Sequence, residues 1–152
     1  MAFKLTLVNC FLLLIPLLVW NLIFAPKLTQ EEFRSDINVP RWILALETVL
    51  RVAVFILPIV LPLRAQGAAG KAGVIVYLVG SLVYYASWIP LMYAPASAWS
   101  RSAVGVLAPF FTPFILFAGV GLLGHSWVYI AAAALFTAVH TAHGVRAFRL
   151  IG

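Results

Sequence analysis

Residues 41–63 read RWILALETVLRVAVFILPIVLPL, and this stretch decides the fold. An α-helix rises about 1.5 Å per residue, so about 20 apolar residues in a row cross the roughly 30 Å of hydrocarbon in a bilayer. The stretch is that long, and its charges are Arg41 at the start and Glu47 and Arg51 inside. Working outward, similar runs occur at about 3–24 on one side and at about 72–93, 101–123 and 126–149 on the other. The expectation is an all-α integral membrane bundle of about five transmembrane helices, a single domain over 1–152 with no extramembrane part large enough for a separate activity.

Composition agrees. The 152 residues are 64% apolar and 9% charged, with a mean hydropathy of +1.09. So few charges cannot cover the surface of a small soluble domain, and the apolar excess excludes disorder. The net charge of +6 is scattered between apolar runs, without the basic patch that nucleic acid would require. The bilayer is therefore the expected partner, in a plasma membrane or a bacterial inner membrane. Cys10, the single cysteine, excludes an intramolecular disulfide and a cysteine metal cluster. No cofactor is expected.

The first run resembles a signal peptide in having Lys4 before apolar residues, but it is too long, and Phe24-Ala25-Pro26 puts proline where cleavage would fall. In the longest connection, Thr29-Gln30-Glu31-Glu32 fits a capping box and predicts a short helical turn. Pro40 then opens the second span. Arg64 to Lys71, with Gln66, Gly67 and Gly70, reads as a flexible turn, and Gly124-His125 as a tight reversal. Gly119, Gly121 and Gly124 blur that last boundary and leave a four-span or re-entrant layout open. Lys27, Arg34, Arg41, Arg101, Arg146 and Arg149 collect on one side, against Lys4, Arg64 and Lys71 on the other. By the positive-inside rule the first side is cytoplasmic, with the N-terminus outside and the C-terminus in the cytoplasm.

Depth follows from residue counts. Glu47 lies roughly 9 Å from the cytoplasmic start of span two and Arg51 roughly 15 Å, while His143 and His140 lie about 9 and 13 Å from the cytoplasmic end of span five. Glu47 is thus level with His143, and Arg51 with His140. The same leaflet receives Asn21, Tyr84, Tyr85, Ser87, Trp88 and Thr112; the opposite one has mainly Asn9, Cys10, Tyr77 and Ser81. A polar cavity or network in the cytoplasmic leaflet is the inference. Glu47 and Arg51, four apart, share a helix face and neutralise each other, but one carboxylate cannot occupy all five guanidinium donors. Those left over suit an anionic group, a carbonyl or a tyrosine hydroxyl. His140 and His143, three apart, also share a face. With Glu47 they have the residue types of an open metal site, although interhelical hydrogen bonding accounts for them without a metal. Two axial haem ligands would have to approach from opposite faces, which this pair cannot do.

Small residues Ala131, Ala134, Ala138 and Ala142 form a stripe on span five, suited to close packing on a neighbouring span or a second copy, and Gly73 and Gly80 do the same in span three. Pro109 and Pro113, around Phe110, Phe111 and Thr112, make span four the candidate for an irregular helix lining a cavity. Trp20, Trp42, Trp99 and Trp127 fall near span ends as an interfacial belt. Trp88, deeper and next to Tyr84, Tyr85 and Ser87, could stack on a flat ligand.

Five short spans, a long first loop leading through Pro40-Arg41-Trp42, and Trp88-Ile89-Pro90 near the end of span three resemble, in layout, the tryptophan-rich sensory (TspO/MBR) family. That resemblance implies a five-helix bundle able to bind porphyrins and sterol-like molecules. The chain departs from the family at its proline-rich double-tryptophan loop, where only Val39-Pro40 stands, and in span two, where Glu47 and Arg51 sit among aliphatics.

The expected function is binding or carriage of an amphipathic small molecule in the cytoplasmic-leaflet cavity. Arg51 would anchor its anionic or carbonyl end, Glu47 balance the charge, His140 and His143 orient polar groups, and Tyr84, Tyr85 and Trp88 form an aromatic wall. A non-catalytic subunit of a membrane complex or a homo-oligomer is the alternative. A small enzyme using His140 or His143 as general base is another, for which the chain supplies no nucleophile–base motif, metal motif or phosphate loop. A channel would need polarity through both leaflets.

Overall fold

The structure is a computed structural model that describes residues 8–28 and 39–149. The capping box at 29–32, together with Lys4, Arg34 and Asp36, lies outside the described residues. Five helices among the described residues are long and apolar enough to cross a membrane: Cys10–Lys27, Arg41–Val60, Gly67–Tyr93, Ala103–Leu123 and Trp127–Ala147.

Span one is composite. A 3₁₀ turn, Cys10–Leu14, leads into helix α1, Ile15–Phe24, and a second 3₁₀ turn, Ala25–Lys27, ends it. Pro16 sits in the first turn of α1, where a missing N–H costs nothing. Helix α2, Arg41–Val60, stops short of the expected 63. Its end is set by Pro62, which biases Leu61 to extended backbone. Leu61 O then accepts from Cys10 N at 2.9 Å, so the end of α2 is tied to the head of span one.

Helix α3 begins at Gly67, so the Arg64–Lys71 turn is shorter than expected and Gly67 to Lys71 are helical. Alanines 68, 69 and 72 favour helix, and two glycines at roughly 1 kcal/mol each do not outweigh the packing of a 27-residue helix. Span four divides at the expected place into α4, Ala103–Phe111, and α5, Pro113–Leu123. Pro113 has no N–H, and Thr112 Oγ1 donates to Ala108 O at 2.7 Å, which holds the joint. Gly124, His125 and Ser126 make the tight reversal, His125 taking φ 51°, before α6, Trp127–Ala147.

Span four is the central one. Its most apolar stretch is 67% buried, against 17% to 28% in the others. α3 packs along α5, and α2 along α6, which also meets α4 and α5. Gly80 and Gly119 allow the α3–α5 approach: a Cβ on Gly80 would stand 2.4 Å from Leu116 N, and one on Gly119 2.4 Å from Tyr77 N. The alanine stripe of α6 is not used inside the bundle, because Ala131, Ala134, Ala138 and Ala142 all face outward. Trp42, Trp99 and Trp127 are exposed near helix ends, whereas Trp20 packs on Tyr85 and Trp88 is only 6% exposed.

Candidate functional site

Because α2 and α6 lie side by side with the start of α2 beside the end of α6, residues at equal depth meet. Glu47 is 2% exposed and is enclosed by three nitrogen-bearing side chains. Arg51, one turn along α2, donates from Nη2 to Glu47 Oε1. His140 Nδ1 lies 2.9 Å from the same oxygen, and His143 Nδ1 lies 2.5 Å from Oε2. The i,i+4 spacing on α2 and the i,i+3 spacing on α6 are what let one carboxylate serve all three.

This arrangement fixes the histidine tautomers. A carboxylate paired with an always-charged guanidinium only accepts, so each Nδ1 must carry the hydrogen it shares with Glu47. In a neutral ring the lone pair is then on Nε2, on the opposite edge. Rings also hold His140 in place: Phe136 stacks on it at 5.3 Å and 10°, and Phe110 lies 4.7 Å from it between centroids.

The cluster faces a cavity of about 490 Å³, to which all five long helices contribute. Glu47, Arg51, His140 and His143 form its polar side, and Tyr84, Trp88, Pro109 and Phe110 its buried back wall. Asn21 and Ala25 of span one and Thr48 of α2 stand at its rim. Six of the seven residues singled out from the sequence therefore border one space. Tyr85 does not; its ring stacks on Trp20 at 4.5 Å and 30°, behind Tyr84.

Asn21, Thr48 and Phe110 belong to the lining and were not among those seven. Asn21 Oδ1 accepts from Tyr84 OH at 2.5 Å, which brings span one to the back wall. Its signal was present, since an amide in the middle of LVWNLIF needs a partner. Phe110 carried no such signal. Among the described residues no group of three or more His, Cys, Asp or Glu is arranged to hold a metal. Both Nδ1 atoms are turned to the carboxylate, so the three residues form a hydrogen-bonded cluster.

At this cavity the chemistry available is a partly exposed guanidinium, the Nε2 edge of His140, and an aromatic wall. The likeness to tryptophan-rich sensory proteins rests on the layout given above. No protein-family model, curated protein or solved structure matches this chain.

Proposed function

We propose that the chain is a small integral membrane protein that binds or carries an amphipathic small molecule in the cavity beside Glu47, in the cytoplasmic leaflet of a plasma or bacterial inner membrane. The N-terminus is outside and the C-terminus cytoplasmic, as the distribution of Lys and Arg argues. One observation carries the reading: a cavity of about 490 Å³ sets Arg51, half exposed, opposite the buried rings of Tyr84 and Trp88. Pockets that hold small ligands have this size and pair a few polar groups with an apolar wall. Arg51 anchors the anionic or carbonyl end, Glu47 balances it, His140 and His143 orient polar groups, and Tyr85 backs the wall. The layout shared with tryptophan-rich sensory proteins gives a precedent for ligand binding in a bundle of this size.

The test is a native mass spectrum of the protein extracted gently from its own membranes. A discrete adduct on wild type that is absent from a folded Arg51→Gln variant supports the reading. A bare chain in both overturns it.

A second reading, a non-catalytic subunit of a membrane assembly, is favoured by the outward alanine stripe of α6. Small residues on an outer face let another helix come close. In that case the same spectrum contains a second copy or a partner chain, and Arg51→Gln changes assembly and not adduct mass.

A further inference from the structure

The cavity at Glu47 does not end there. A second one of about 250 Å³ adjoins it, with Asn21, Arg51, Tyr84, Pro109 and His140 bordering both. The rest of its wall is Leu17, Leu18, Phe55, Pro113, Phe117 and Phe136, with no polar side chain. Phe55 lies one turn past Arg51 on α2 and Phe136 one turn before His140 on α6, so this chamber is about 6 Å farther along both helices, at the middle of the membrane and just beyond it. A polar chamber thus stands above an apolar one, and Arg51 and His140 mark the join.

The mouth opens sideways. Ala25 on span one and Thr48 and Arg51 on α2 are exposed, whereas the facing wall of Tyr84, Trp88, Pro109 and Phe110 is buried. α2 packs on the turn Cys10–Leu14 at the head of span one, not along α1. Span one is tied to α3 by side chains: Tyr77 OH donates to Leu13 O at 2.8 Å, Tyr84 OH to Asn21 Oδ1 at 2.5 Å, and Lys27 Nζ lies 5.8 Å from the Tyr93 ring centroid. The gap between α1 and α2 lies level with the polar chamber, where Ala25, Thr48 and Arg51 are exposed.

From this geometry we infer that the ligand is a medium-chain carboxylic acid, of about eight carbons, that enters from the leaflet between α1 and α2, with its head at Arg51 and His140 and its chain in the apolar chamber of about 250 Å³. This rests on the ligand-binding reading above. Among the described residues Arg51 makes one bond, to Glu47, which leaves guanidinium donors for a carbonyl oxygen. His140 gives Nδ1 to Glu47, which leaves Nε2 as an acceptor. An undissociated acid satisfies both, its carbonyl accepting from Arg51 and its O–H donating to Nε2. A phosphodiester head has no such O–H, and a two-chain lipid has a second tail that the single apolar chamber does not take.

The experiment uses octanoic acid with a terminal diazirine, added to the full chain in phosphatidylcholine nanodiscs, photolysed and mapped by peptide mass. The expected labels are Phe117 and Phe136, suppressed by excess unlabelled octanoic acid. Labelling falls roughly tenfold in Arg51→Gln, a loss of about 1.4 kcal/mol, the scale of one hydrogen bond to a charged group, and less steeply in Arg51→Lys, which keeps the charge. Ala25→Trp, at the exposed rim, slows labelling without changing its sites. Labels confined to lipid-facing residues such as Leu22 and Val49, equal in wild type and Arg51→Gln, overturn the inference. If wild type still holds a discrete native adduct in that case, only the ligand class is wrong; if it holds none, the binding reading falls as well.

Discussion

Glu47 Oε2 stands 2.5 Å from His143 Nδ1, so one carboxylate on α2 is fastened directly to α6. Its other oxygen takes His140 and Arg51. In Glu47→Gln, one end of the amide is a donor facing an Nδ1–H, and Arg51 loses its counter-charge. Breaking a buried pair costs about 3–5 kcal/mol, and the low end applies because the Arg51 side chain, 51% exposed, can turn toward water or lipid headgroups. Thermal unfolding in detergent micelles should register a loss of about 3 kcal/mol. The double variant with His143→Ala should lose less than the two single losses added, by more than the ~0.6 kcal/mol typical of polar pairs between membrane helices. Additive losses would mean the contact is not made.

Tyr84→Phe removes the donor to Asn21 Oδ1 while leaving the ring in place. An uncharged hydrogen bond of this kind contributes about 1 kcal/mol, too little to unfold the bundle. Its effect should be local. Hydrogen exchange is expected to quicken in Ile15–Phe24, which leans on α3 through few side chains, and to stay unchanged in α5. Equal quickening in both would show that α1 is not held separately.

Five apolar runs, the meeting of Glu47 with His143, and the joint between Pro109 and Pro113 were legible in the sequence because each depends on periodicity or on a missing N–H. Helix length and depth are one-dimensional quantities. What residue counting could not supply was rotation about the helix axis. Tyr84 and Tyr85 are adjacent and equally deep, yet about 100° apart around α3, so one lines the cavity and the other stacks on Trp20. The same applies to the alanine stripe, whose spacing is equally suited to an inner or an outer face. The start of α3 at Gly67 is illegible for another reason, since glycine reads as a breaker until the burial gained by its helix is known.

Gly80→Ala tests the α3–α5 contact. The added methyl would meet Leu116 N at 2.4 Å and Ile115 C at 2.7 Å, backbone atoms that cannot rotate away. Overpacking of this kind costs about 1–3 kcal/mol, and separating two helices that run side by side over several turns puts Gly80→Ala at the upper end. Ala72→Leu, on an exposed face of the same helix, is the control and should leave thermal unfolding unchanged. A neutral Gly80→Ala would mean that α3 and α5 lie farther apart than described.

Orientation is open to a direct check. Single cysteines at His125 and at Ala98 stand in turns at opposite ends of the bundle, both exposed, and Cys10 is fully buried and can be replaced by Ala as background. The count of Lys and Arg puts Ala98 on the cytoplasmic side, between Lys27 and Arg41 in one loop and Arg101 in its own. A membrane-impermeant maleimide applied to intact cells should therefore label His125→Cys and leave Ala98→Cys unmodified until the cells are opened. The reverse pattern inverts the protein and moves the Glu47 cavity to the outer leaflet without altering its geometry, because α2 and α6 keep their shared side. Labelling of both in intact cells would mean that Ala103–Leu123, the long apolar helix between them, fails to cross.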